Sequence, residues 1–181
     1  AKGDMLAHAS VILVAMAWLI NDLIRTWKYA GNLIYTYATI DTTCLPPGLA
    51  PGMLILTELS PTSLTLYEFI TSPEWTVKNM AVVMFQILWV LWRLGQEIQL
   101  VHGGMDDLNN IIIEYLPNET LIEYLDIQGN TIKIRTRFIA RLLNFGNSSF
   151  NYNGQRCISM TSPQYDYYPQ FDKTALFNAI P

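Results

Sequence analysis

The stretch MAVVMFQILWVLW, residues 80–92, decides how this chain folds, because Gln86 is its one polar side chain. No polar stripe can be drawn along it, and a helix that is apolar all round is either a membrane span or the centre of a large core. On its N-terminal side, Ser72-Pro73-Glu74 has the chemistry of a helix start: a cap for orphan backbone N–H groups, a proline for the first turn and an acid beside the positive dipole end. On the other side Gly103-Gly104 ends the pattern. These limits predict a helix over about 73–102, roughly 45 Å long at 1.5 Å per residue. Trp75 and Trp92 then stand about 25 Å apart along the axis, the separation expected of two interfacial anchors, and Lys78 and Arg93 can carry their charges outward. Past Arg93, Leu94, Ile98 and Val101 form a one-sided stripe suited to packing against protein.

A second apolar segment runs from Met5 to Ile24, and Val11–Ile20 contains no polar residue. Crossing about 30 Å of hydrocarbon takes about 20 residues. Trp27 and Tyr29, interleaved with Arg25 and Lys28, follow as an aromatic and cationic collar of the kind found at a membrane surface. The reading is a helix over about 5–28 and two spans, near 5–24 and 76–94. Composition agrees: 14 % of the chain is charged and 51 % hydrophobic, against roughly 25 % charged in soluble domains. A mean hydropathy of +0.20 restricts the membrane part to a minority of the chain.

Between the two helices, residues 29–72 carry Cys44-Leu45-Pro46-Pro47-Gly48, Pro51-Gly52 and Pro61, so an irregular loop is expected, interrupted by a short strand at Met53–Leu56. After Asp106-Asp107 the period falls to two. Ile132, Ile134, Thr136 and Phe138 alternate with Lys133, Arg135 and Arg137, and Leu121–Ile127 is the expected partner strand. A two-residue turn at Gly129-Asn130 pairs Ile127 with Ile132, Leu125 with Ile134 and Asp126 with Lys133. Ile111–Leu116 is expected to add a strand through a turn at Pro117-Asn118, and Phe138–Phe145 is read as a short helix capped by Gly146. The segment from Asn147 onward is read as an extended arm with Tyr165, Tyr167, Tyr168 and Phe171 as partner-binding anchors. The expected fold class is therefore α+β: two long apolar, membrane-crossing helices, a small antiparallel β meander or hairpin domain, and an aromatic C-terminal arm. The corresponding regions are 1–104, 105–146 and 147–181.

Chemistry is sparse. Of the two histidines, His8 sits in the apolar N-terminal segment and is read as reaching the membrane interface. His102 lies near Asp106 and Asp107, where a helix end followed by a solvated acidic turn is a better reading than a metal site. Cys44 and Cys157 are too few for a zinc site and form no C-x-x-C pair. If both helices cross a bilayer, the two cysteines lie on opposite sides and cannot be bonded. No phosphate-loop, dinucleotide, zincin or nucleophile-elbow motif occurs, so no catalytic, metal or cofactor residue is assigned. A net charge of -4 opposes a nucleic-acid partner. Lys133, Arg135 and Arg137 form a row able to meet phosphate or lipid headgroups, although such a row is more often a solvated strand face. Asn118 and Asn147 open glycosylation triplets that matter only in a secretory setting.

The order of apolar helix, loop, long helix and β-rich domain resembles in layout the membrane subunit II of respiratory oxidases, but the copper-binding cluster that defines that family has no counterpart here. The expected function is a non-catalytic structural or accessory subunit of a multi-subunit integral membrane complex, energy-transducing complexes included, in contact with other subunits and membrane lipid. A coat or filament subunit of a viral particle or other homo-oligomeric assembly is the first alternative. The second is a secreted helical ligand bridged between Cys44 and Cys157.

Overall fold

The computed structural model describes residues 5–7, 9–27, 31–41, 53–58, 60–125, 128–152 and 154–159. In chain order these form β1 (Met5–Ala7), α1 (Ala9–Thr26), β2 (Thr36–Asp41), β3 (Met53–Thr57), β4 (Ser63–Thr65), α2 (Leu66–Thr71), α3 (Val77–Ile98), β5 (Ile111–Leu125), β6 (Thr131–Leu142), β7 (Ser149–Tyr152) and β8 (Gln155–Ser159). The architecture is mixed helix and sheet. β4, β5 and β6 make an antiparallel sheet, β2 and β3 a two-stranded ribbon, and β8 is flanked by β7 antiparallel and β1 parallel.

Among the described residues one helix, α3, is long and apolar enough to cross a membrane, where the sequence suggested two. α1 has a definite inside. Ile12, Met16 and Ile20, spaced four apart, are buried in the chain's own core, while Val11 and Trp18 face outward. Its buried Asn21 is held as tightly as its apolar neighbours: the side-chain Nδ2 donates to the Thr36 carbonyl at 2.7 Å and Oδ1 accepts from the Thr36 N–H at 2.9 Å.

α3 starts and stops inside its expected limits. Ser72 caps the end of α2, and the N-cap of α3 is Thr76, whose hydroxyl accepts from the Asn79 N–H at 3.1 Å. The helix closes with Gln99 in the left-handed conformation, ahead of Gly103-Gly104. α2 explains the displaced start, since Thr65 and Glu68 form a reciprocal capping box one short helix earlier. Gly103 instead serves the turn beyond: its φ is +74°, and a Cβ there would lie 2.1 Å from the Asn147 carbonyl oxygen.

Residues 29–72 carry β2, β3, β4 and α2 rather than one irregular loop. The β5–β6 hairpin exists, but its register is shifted by three residues. Tyr124 faces Ile132, Ile122 faces Ile134 and Leu125 faces Thr131, while Asp126 and Ile127 lie outside the described residues. An odd shift exchanges the two faces of β5. The acid opposite Lys133 is consequently Glu123, at 2.8 Å, and not Asp126. β5 runs unbroken through Pro117-Asn118 with a register irregularity between Tyr115 and Thr120, a tolerable place for proline because β4 pairs only with Ile112–Glu114. β6 continues to Leu142, so Phe138–Leu142 is strand, and only Phe145–Asn147 forms a helical turn. Cys44, His8 and the aromatic anchors Tyr165, Tyr167, Tyr168 and Phe171 lie outside the described residues, as does Tyr29.

One continuous core joins α1, α2, α3, β5, β6, β7 and β8. Tyr124 stacks edge-on against Phe85 at 5.4 Å and Trp89 at 4.9 Å, and Phe138 does the same with Phe69 and Tyr115. At its centre lies Gln86, fully buried. Its Nε2 donates to the Phe138 carbonyl at 3.0 Å, and its Oε1 accepts from the Ala140 N–H at 3.0 Å and from Asn32 Nδ2 at 2.9 Å. The amide thereby completes the outer edge of β6 as a neighbouring strand would. Replacing Gln86 by Leu leaves the buried Ala140 N–H without a partner, at a cost of about 1–3 kcal/mol, while the Phe138 carbonyl keeps the Thr136 hydroxyl at 3.3 Å and Asn32 Nδ2 keeps the Ala140 carbonyl at 2.8 Å. A loss of about 1–3 kcal/mol in the urea unfolding free energy is the expected outcome, with Gln86→Glu also destabilising because a carboxylate cannot donate to Phe138.

Candidate functional site

The most developed polar site is a cleft of about 450 Å³ where β3, β4, β5 and β6 converge, lined by Tyr37, Thr57, Glu58, Ser60, Ser63, Glu114 and Arg141 among others. Arg141 projects from β6 on the same face as Lys133, Arg135 and Arg137. Its Nη1 lies 2.6 Å from Glu58 and its Nε 2.8 Å from Glu114, and Nη1 also donates to the Leu33 carbonyl at 3.3 Å. Glu58 is fixed in turn by accepting the Tyr35 N–H at 3.0 Å. A guanidinium held by two carboxylates and a carbonyl has little left to offer an anionic substrate, and among the described residues neither His nor Cys lines the cleft. The arrangement clamps three strands together.

His102 is buried at the exit from α3. Its Nε2 donates to the Leu143 carbonyl at 2.9 Å and its ring lies 4.7 Å from that of Phe145. Nδ1 is left as a buried acceptor with no hydrogen-bond partner among the described residues. Asp106 and Asp107 are exposed, and Asp107 is occupied in capping the turn Leu108–Asn110. The structure does not gather these three side chains, and among the described residues no group of three or more His, Cys, Asp or Glu is placed to hold a metal. Cys157 is buried on β8, and burial pushes its thiol above the ordinary range, away from thiolate chemistry. Burial likewise pushes the Tyr124 hydroxyl up to about 12, opposed by the Asn32 side chain.

The row Lys133, Arg135 and Arg137 is exposed on the outer face of β6. Lys133 is paired with Glu123, while Arg135 and Arg137 have no ion-pair partner within 4 Å among the described residues. The aromatic anchors separate. Trp75 stands out at 46 % exposure before α3. Trp92 is partly buried on the core. Trp27 packs edge-on against Trp89 at 6.3 Å, with the Arg93 guanidinium 5.2 Å above its ring. Arg93 bonds Glu97 at 2.9 Å, so its charge is neutralised along α3 rather than extended outward.

The surface with the strongest physical signal is α3 itself. In residues 80–92 the one polar side chain is fully buried, whereas the exposed positions Ala81, Met84 and Leu88 are all apolar. Val77, at 77 % exposure, extends this outer stripe by one turn. The outer side of α3 is thus an exposed apolar stripe opposite its buried polar side chain. Sequence reasoning identified the helix but not its two faces, and it missed the Glu58–Arg141–Glu114 clamp. Glu58 and Arg141 are 83 residues apart, and the one local hint is that Arg141 resumes the cationic alternation of β6 after Ile139.

Compared with known proteins, the chain matches no family model and no curated protein.

Burial holds the His102 pKa below its ordinary value of 6.5, opposed by the bond to Leu143. The unfolded chain therefore takes up this proton first as pH falls, so the contribution is fully present above about 6.5 and declines below it. The melting temperature is expected to drop between pH 6.5 and 5, and His102→Gln is expected to flatten that part of the profile, as followed by circular dichroism.

Proposed function

We propose that this chain is a non-catalytic accessory subunit of a membrane-associated, multi-subunit complex, and that the outer face of α3 is buried in the working assembly. The reading is carried by the exposed apolar stripe on the one described helix long and apolar enough to cross a bilayer. Because Gln86 ties α3 to the edge of β6, only the outer side of the helix is available to lipid or to a neighbour while the fold is intact. Arg135 and Arg137 add a cationic face suited to anionic headgroups, each worth about 1 kcal/mol close to such a surface. The net charge of -4 speaks against nucleic acid. A homo-oligomeric assembly is the second reading, favoured by the regular spacing of the stripe.

Expressed in cells, the chain is expected to stay with membranes through alkaline carbonate and to leave them only in detergent; release by carbonate or high salt alone contradicts membrane insertion. With vesicles containing phosphatidylserine, the double change Arg135→Gln and Arg137→Gln is expected to weaken flotation by about 30-fold, the equivalent of roughly 2 kcal/mol. An unchanged affinity shows that this face is merely solvated.

A further inference from the structure

The cleft of about 450 Å³ around Arg141 has the size of a small-molecule site, about 300–1,000 Å³, without the usual apolar lining. Among its described lining residues only Ile34 and Ile112 are aliphatic, and the others carry hydroxyl, carboxyl or guanidinium groups. Such walls suit a ligand that is itself polar over most of its surface. The clamp also leaves part of each charged group unspent. Arg141 uses Nη1 on Glu58 and the Leu33 carbonyl and Nε on Glu114, so Nη2 has no partner among the described residues. Glu58 spends Oε1 on both Arg141 and the Tyr35 N–H, and Glu114 spends Oε2, which leaves one oxygen of each carboxylate unbonded among the described residues.

The order of these charges selects the ligand. An anion meets two carboxylates. A cation can take their free oxygens, but it meets the guanidinium between them and leaves the Nη2 hydrogens unused. A neutral hydroxyl both donates and accepts. Adjacent hydroxyls on one ring can therefore give to a carboxylate oxygen and receive from Nη2 together, in charge-assisted bonds.

Tyr37 gives an independent sign. With Thr36 opposite Thr57 and Ala38 opposite Leu56, it is the extra residue of a bulge in β2. Bulges redirect a side chain out of the ordinary alternation of a strand. The result is a tyrosine that lines the cleft at 67 % exposure, with its ring edge-on to Tyr35 at 5.4 Å. A ring so exposed contributes little to the core, whereas beside hydroxyl-binding groups it offers an apolar surface to the C–H side of a sugar ring.

We infer that this cleft binds a neutral polyhydroxylated ligand of the carbohydrate class, with Glu58, Glu114 and Arg141 bonding its hydroxyls and Tyr37 covering the C–H face of one ring. No described residue of α3 lines the cleft, so the inference does not depend on what covers that helix.

Saturation-transfer NMR on the full chain tests it, in a zwitterionic detergent free of sugar headgroups where detergent is required. The probes are glucose, galactose, mannose and N-acetylglucosamine, with agmatine as the cationic control and inorganic phosphate as the anionic one. At least one sugar is expected to receive saturation from the protein. Titration of that sugar is expected to give a dissociation constant raised about 10-fold by Tyr37→Ala and left near the unaltered value by Tyr37→Phe. Silence from all four sugars overturns the proposal, as does an affinity that Tyr37→Ala leaves unchanged. Binding of agmatine or phosphate in place of the sugars overturns it too. Should Tyr37→Ala unfold the chain, the unaltered protein decides: the methyl resonances of Ile34 and Ile112 are expected to shift as the sugar is added, and unmoved signals place the sugar elsewhere and overturn the site.

Discussion

The fold depends on a requirement of the backbone: polar groups at strand edges and chain turns that face the apolar core must find partners there, since no water reaches them. In this chain primary-amide side chains fill that need. Gln86 completes the edge of β6, Asn21 pairs with both backbone groups of Thr36, and Asn32 Nδ2 bridges Gln86 and the Ala140 carbonyl. Asn110 does the same beyond α3, its Nδ2 donating to the Gly104 carbonyl at 2.7 Å while its Oδ1 accepts from Asn144 Nδ2 at 3.1 Å. An amide carries a donor and an acceptor in one plane, so it can stand in for a peptide unit of an absent strand. Three helices and strands of two sheets are joined into one core partly because these side chains let strand edges be buried against helices.

The same requirement explains which parts of the fold were legible in the sequence. The alternation of β6 was readable because one face must enter the core, and a period of two admits no other element. The register was not. β5 offers apolar residues at both parities, Leu121, Ile122, Tyr124, Leu125 and Ile127, and acids three apart at Glu123 and Asp126. Both registers therefore satisfy the tests of apolar pairing and charge pairing. The structure chooses the one that places Tyr124 against Phe85 and Trp89, a contact supplied by a distant helix. Pairings such as β4 with β5, or β1 with β8, join segments whose local sequence contains no sign of the other.

The apolar helices show the converse limit. Composition makes α1 and α3 apolar on nearly every side, and the structure turns one side of each into the chain's own core. Ile12, Met16 and Ile20 look inward on α1 and Val11 and Trp18 outward, yet all are apolar, so no periodicity distinguishes the sides. The Arg141 clamp was hidden for a different reason. Glu58 follows β3 while Glu114 and Arg141 lie on β5 and β6, and a salt-bridged trio with one-fifth to one-third exposure holds these segments together without leaving a local motif.

Gln86 finally bears on what covers the outside of α3. A polar residue in an otherwise apolar helix is commonly read as the side that faces solvent or a neighbouring subunit. Here it is committed inward by three hydrogen bonds, and the outer surface of the helix is a stripe of aliphatic and small side chains. The hydrogen-bonding capacity of Gln86 is thereby spent on the fold, and what the stripe presents is apolar area and shape.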